Sequence, residues 1–394
     1  MVKELETINV GIFGHIDHGK TTLLKQLSGR WADTHSEELK RGITIKLGYA
    51  DTTLYKKGDS YNISKEGNPV RHVSFIDAPG HEMLMATTLS GATLIDAAIL
   101  VVAANEGIKP QTREHLMTLQ AKKVEKIIVV QNKIDLVNKT YALKNHKDIK
   151  TFLGEKYKDA EIIPVSAQQG VNISEIFRAI AELPIPDRKA KEKPIFLIAR
   201  SFDINKPGTL PKNLNGAVLG GSLKQGTLKV GDEVEIKPGI SIEKDGQKKT
   251  IPIKTKVSAL FKGSNQVQEL TPGGSMSVAT ELDMSLGKSD KLSGNLLSTK
   301  DELPEPVSEV SLKHTLFPEV FGTSSHIKVE NIKPQEVLML SINTSITGGT
   351  VKSTKPNEIT ISLKVPVISF KGDNVGIARK IAGHWRLIGY GEVI

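Results

Sequence analysis

The sequence predicts an α/β P-loop G domain, built on a doubly wound and mostly parallel sheet, followed by two all-β barrel domains. Three observations predict it. The segment GHIDHGKT, residues 14–21, stands between an apolar strand and a helix. Apolar strand-like runs alternate with helical stretches as far as about Pro186, the pattern of βαβ units around a parallel sheet. Beyond Ile195 the texture changes to short β-rich runs broken by Gly, Pro and Asn, as in barrels and sandwiches.

Taken in order, the first domain offers the strands INVGIF, VSFIDA, AAILVVAA, KIIVVQN and IIPVSA. Between them, Lys20 to Leu27, Gln111 to Lys122 and Ile173 to Glu182 carry apolar residues at helical spacing. The segment LPIPDRKAKEKP, Leu183 to Pro194, combines three prolines with a charge run, which disfavours a helix and suits an exposed linker. The runs IFLIARSF, GAVLGGSL, EVEIKPG and TKVSALF follow, and a second break falls in GNLLSTKDELPEP, Gly294 to Pro306. The expected domains are therefore 1–188, 189–302 and 303–394, and a chain of 394 residues is long enough for three cores.

Composition narrows the class. Apolar residues at 38% and charged residues at 25% describe a globular protein. The longest apolar run, Leu94 to Ala104, contains Asp96 and is well short of the roughly 20 residues a bilayer crossing needs, so a buried parallel strand explains it better. The first residues lack the cationic and apolar sections of a signal peptide, and the expected location is cytoplasmic, with no membrane partner. A net charge of +9 favours an anionic partner. With no cysteine, the chain can make neither disulfides nor thiolate metal sites.

The chemistry gathers in four short motifs. Gly14 and Gly19 let backbone N–H groups turn inward around phosphates, and the next helix adds the positive end of its dipole. Lys20 can bridge the β- and γ-phosphates, and the Thr21 hydroxyl can take one Mg²⁺ position. DAPG, residues 77–80, closes the strand VSFIDA, where Asp77 can hold Mg²⁺ through water and the Gly80 N–H can sense a γ-phosphate. In NKID, Asn132 to Asp135, the carboxylate can accept from guanine N1 and N2 donors that adenine lacks. Ser166 and Ala167 suit a backbone contact to the guanine O6. Four elements in this order imply GTP/GDP with Mg²⁺. Thr44, in RGITI, could complete an octahedral oxygen shell only when a γ-phosphate is present, which makes it the first switch. His81, directly after DAPG, could orient the attacking water. His15 and His18 read as packing residues of the P-loop rather than as zinc ligands.

GHIDHGKT, DAPGH and NKID together resemble the translational GTPases, the superfamily of elongation factor Tu. HSEELKRGITIKLGYAD (35–51), IARSFDINKPGT (198–209), GAVLGGSLKQG (216–226) and HWRLIGYG (384–391) look like the gamma subunit of archaeal and eukaryotic initiation factor 2. That resemblance implies a GTPase working with alpha and beta subunits, which carries methionylated initiator tRNA to the small ribosomal subunit. It implies nucleotide contacts at Asp17, His18, Gly19, Lys20, Thr21, Thr22, Asn132, Lys133, Asp135, Ser166, Ala167 and Gln168, and Mg²⁺ contacts at Asp17, Thr21, Thr44 and the Gly42 carbonyl. For the methionyl-adenosine end of the tRNA it implies Tyr49 and the turn Gly220, Gly221, Ser222.

One departure stands out. The family usually has a cysteine-ligated zinc knuckle before DAPG, where this chain has KKGDSYNISKEGNPV. The expectation is a metal-free hairpin or loop turning at Gly58 and at Gly67, Asn68 and Pro69, and no zinc. Two other readings compete: an elongation-type factor for another aminoacyl-tRNA, against which the 198–226 and 384–391 blocks argue, and an assembly module with negligible hydrolysis.

Overall fold

The computed structural model describes residues 5–29, 47–79, 85–206, 208–210, 214–244, 247–320 and 327–394. These fall into two compact units. One comprises 1–186 with 316–330 and 378–388; the other comprises 187–315, 331–377 and 389–394.

The nucleotide-type sheet has seven strands: β1 Thr7–Gly14, β2 Gly48–Lys57, β3 Ser60–Asn62, β4 Asn68–Asp77, β5 Ala97–Ala103, β6 Lys126–Asn132 and β7 Ile162–Pro164. Their order is β3-β2-β4-β1-β5-β6-β7. From β4 to β7 every pairing is parallel, while β2 and β3 add an antiparallel edge. The helices are α1 Lys20–Ser28, α2 Met85–Gly91, α3 Pro110–Ala121, α4 Lys139–Leu153 and α5 Ile173–Glu182. Strand residues alternate faces, and both faces are buried. Ile8, Val10 and Ile12 of β1 and Ile99 and Val101 of β5 pack with Leu23, Leu24, Ile176 and Ile180 of α1 and α5. Phe13, Ala98, Leu100 and Val102 pack on the opposite side with Leu116, Leu119, Ile149 and Leu153 of α3 and α4. This two-sided burial is why β5 reads as an unbroken apolar run.

Differences from the sequence expectation have physical causes. Helix α4, KTYALKNHKDIKTFL, has no counterpart among the expected helices. Only Asn145, Ile149 and Leu153 are buried in it, a stripe one residue wide at i, i+4 spacing that gives little apolar periodicity. It starts at Asn138, whose side chain accepts from the Tyr141 N–H at 2.9 Å. The expected strand IIPVSA pairs only over Ile162–Pro164, and Ser166 lies beyond it in a turn bridged to Val171. The insertion folds as the β2–β3 hairpin, with Gly58 in the turn at φ +61° and Gly67 at +93° before β4.

In the second β region, strands 233–244, 296–299, 195–202, 218–225, 276–280 and 247–262 pair in that order, and 233–244 pairs back with 247–262 to close a ring of six. The expected break at 294–306 therefore contains a strand, because Leu296 and Leu297 are buried in this barrel. The third β region closes a six-stranded barrel in the order 307–316, 358–367, 345–355, 337–342, 374–381 and 384–393. No helix among the described residues is long and apolar enough to cross a membrane.

Candidate functional site

The C-terminal ends of β1, β6 and β7 converge on a cleft of about 390 Å³, the usual place for a ligand on a doubly wound sheet. The cleft is lined by Asp17, Gly19, Thr21 and Thr22 of the P-loop and α1, by Asn132, Lys133, Asp135 and Leu136 after β6, and by Ser166, Ala167 and Gln168 after β7. Three separate motifs of the sequence thus meet around one space. Leu136 is the lining residue that the motifs do not mark.

The P-loop is shaped by two glycines. Gly14 has φ +143°, and a Cβ there would come within 2.4 Å of the Val101 carbonyl oxygen. Gly19 has φ +90°, and its Cβ would meet Asn132 Nδ2 at 2.4 Å. Directly beyond Gly19, α1 begins without an acidic residue in its first turn, leaving its N-terminal N–H groups and dipole for an anion. Lys20 Nζ donates to the His15 carbonyl at 2.9 Å. Thr21 Oγ1 lies 3.5 Å from Asp77 Oδ2, which brings the DAPG aspartate to the P-loop threonine.

Asn132 joins the three motifs. Its Nδ2 donates to the His18 carbonyl at 2.9 Å, and its Oδ1 accepts from the Ala167 N–H at 3.0 Å. Lys133 sits at φ +61°, with Nζ 3.4 Å from Glu106, and Asp135 occupies the short helical turn Ile134–Leu136. Ser166 Oγ accepts from the Gln169 N–H, fixing the β7 turn.

The His18 side chain does not face the cleft. It is fully buried, with Nδ1 3.3 Å from the Val101 carbonyl, and burial pushes its pKa down to about 4. His15 packs edge-on against it at 5.1 Å between ring centroids. Among the described residues no group of three or more His, Asp or Glu side chains could hold a metal ion. Gly42, Thr44, Gly80 and His81 lie outside the described residues.

Two positions behind the loop carry no motif signal. The Gly14 N–H donates to His115 Nδ1 at 2.8 Å, and the Ile16 N–H donates to Gln111 Oε1 at 3.2 Å, both acceptors on α3. Their spacing on α3 reads as ordinary helix periodicity.

Tyr49, on β2, pairs with Ile76 of β4. Gly220, Gly221 and Ser222 lie in strand 218–225. A Cβ on Gly221 would come within 1.9 Å of the Leu197 carbonyl oxygen, so the neighbouring strand requires glycine there.

Comparison with known proteins places these features in a family. A model described as the elongation factor Tu GTP binding domain matches residues 5–185, and one described as initiation factor eIF2 gamma, C terminal, matches residues 308–393. The translation initiation factor 2 subunit gamma of Methanococcus maripaludis is 48% identical over 402 residues, covering 98% of each chain. That of Pyrococcus abyssi is 49% identical over 398 residues, covering 98% of this chain and 97% of its own. Among solved structures, a bacterial selenocysteine-specific elongation factor superposes with a TM-score of 0.77 at 26% identity, covering 98% of this chain and 58% of that one.

Proposed function

The chain belongs to the family of translation initiation factor 2 gamma subunits, and from that membership we propose how its site works. It is a translational GTPase, and the elongation-type alternative is not favoured. The proposal is that the cleft binds GTP and GDP and that nucleotide state governs binding of methionylated initiator tRNA.

The observation that carries this reading is the pair of Asn132 hydrogen bonds, which couples the P-loop to the β7 turn around the cleft bearing Asp135. In the proposed complex, Asp135 accepts from guanine N1–H and N2–H, and the turn at Ser166, Ala167 and Gln168 supplies backbone contacts to O6. Inward N–H groups of residues 17–22 hold the phosphates, and Lys20 exchanges the His15 carbonyl for phosphate oxygens. The donors beside the P-loop suit a hard cation, since Thr21 and Asp77 offer oxygen and the chain has no thiolate. Asp17, Thr21, the Gly42 carbonyl and Thr44 would hold Mg²⁺, which when bound neutralises charge on the phosphoryl oxygens. Thr44 and Gly80 respond to the γ-phosphate in this scheme, and His81 orients the attacking water.

We further propose domains at 1–188, 189–302 and 303–394, alpha and beta subunits and the small ribosomal subunit as partners, a cytoplasmic location, and an insertion at 56–70 that needs no zinc. Tyr49 and residues 220–222, which lie in strand 218–225 rather than in the expected turn, are the proposed contacts for the methionyl-adenosine end. The test is retention of methionylated initiator tRNA by the chain, alone and with its alpha and beta subunits, loaded with GTP or GDP. Tighter retention with GTP is expected, because a γ-phosphate shifts the population toward the binding-competent state. Equal retention in both states would defeat the switch, and preference for elongator tRNAs would revive the elongation-type reading.

A further inference from the structure

The geometry points to His115 as a positioning residue for the phosphate cradle: its Nδ1 accepts the Gly14 N–H and so fixes the P-loop from behind, with Gln111 doing the same at Ile16. Both acceptors lie on one face of α3, one turn apart, as i and i+4 positions must. The Gly14 bond, at 2.8 Å, spans 101 positions and is buried. The His115 ring is also held in place, standing edge-on to Phe13 at 5.7 Å between centroids.

The P-loop has N–H groups on two sides, and each needs an acceptor. Those of Gly14 and Ile16 point back toward α3 and are satisfied by protein, which sets the peptide planes for the residues that follow. Gly14, with no room for a Cβ, has no side chain of its own to hold that orientation. For Nδ1 to accept, the imidazole must be neutral with its proton on Nε2. Burial, helped by Lys20 and His15, supports this by pushing the His115 pKa down to about 3. Without the acceptor, the Gly14 peptide would turn to find another partner, and a loop so relaxed must be reordered before it can take a nucleotide. His115 touches no phosphate in this scheme and acts only through the loop. The inference rests on the P-loop as the phosphate site.

Two measurements test it. In wild-type protein labelled with ¹⁵N at histidine and glycine, the His115 Nδ1 resonance should be that of an unprotonated acceptor, with a coupling across the hydrogen bond to the Gly14 amide. A protonated Nδ1 would overturn the proposal without any variant. In the second, GTP and GDP dissociation rates are compared for wild type, His115→Phe and His115→Asn. Phe keeps the ring and removes the acceptor, so both rates should rise about tenfold, the equivalent of about 1.4 kcal/mol. Asn places Oδ1 near the position of Nδ1 and should restore both to within about threefold of wild type. Equal loss in Phe and Asn would mark His115 as packing only, and a loss confined to GTP would place its action at the switches; either result overturns the proposal. If the wild-type chain bound neither nucleotide, the reading of the cleft itself would fall, whatever the His115 resonance showed.

Discussion

Asn132 and Asp135 stand three positions apart, yet the structure gives them different work. Asn132 is enclosed and bonded at both ends of its amide, whereas Asp135 lines the open cleft. Asp135→Asn should therefore leave the fold intact while weakening GTP and relaxing rejection of xanthosine nucleotides, since an amide can donate where the carboxylate only accepts. Nucleotide competition checks this, and an unchanged preference for GTP would move the guanine pocket elsewhere. His115 yields a prediction about pH. Its pKa is about 3 in the folded chain against 6.5 when unperturbed, so between those values the unfolded state binds the extra proton. Its contribution to stability is thus complete above about pH 6.5 and is lost as pH falls through that window, with a slope approaching about 1.4 kcal/mol per pH unit. Urea unfolding at pH 7.5 and pH 5 should show a smaller pH effect in His115→Asn than in wild type. NKID revealed both Asn132 and Asp135 in the sequence, while His115 was hidden in regular helix spacing.

Strand β4 and helix α5 meet through Arg71. Its Nη1 donates to the Ile180 carbonyl at 2.8 Å and to the Leu183 carbonyl at 2.6 Å, and Nη2 lies 3.7 Å from Glu6. The Ile180 carbonyl belongs to the last turn of α5 and the Leu183 carbonyl to its C-cap, the end of a helix where a cation complements the dipole. The side chain is almost wholly buried, and burial lowers its pKa from the ordinary arginine value. Arg71→Met keeps the bulk and strips two charge-assisted bonds, so it should cost about 3 kcal/mol in urea unfolding. Arg71→Lys should recover part of that, because one ammonium can serve both carbonyls only by bending between them. A loss in Arg71→Met below about 0.5 kcal/mol would mean that packing alone holds α5. The ends of α1 were legible, with Gly19 and Gly29 both at positive φ. The capping of α5 was not, since nothing in VRHVSF indicates which helix end its arginine will reach.

For the molecule as a whole, ligand binding and stability are linked. GTP with Mg²⁺ at about 100 times its Kd should add about 2.7 kcal/mol to the nucleotide-binding domain, raising its calorimetric transition by about 5–10 °C, whereas ATP at the same concentration should leave it unmoved. A shift of equal size with ATP would remove the guanine specificity from the reading. The sequence by itself determined the fold class, the two β-rich regions and the motifs that line the cleft. These are local matters: alternation with a period of two, apolar spacing along a helix, and glycines where the backbone needs positive φ. Only the tertiary structure decided that Asn132 ties the P-loop to Ala167, that Arg71 closes α5, and that His115 backs Gly14. Each of those contacts joins positions 35 to 114 apart in the chain. The strand order β4-β1-β5-β6-β7 and the side of the sheet each helix packs on create them, and neither is encoded in any short stretch of residues.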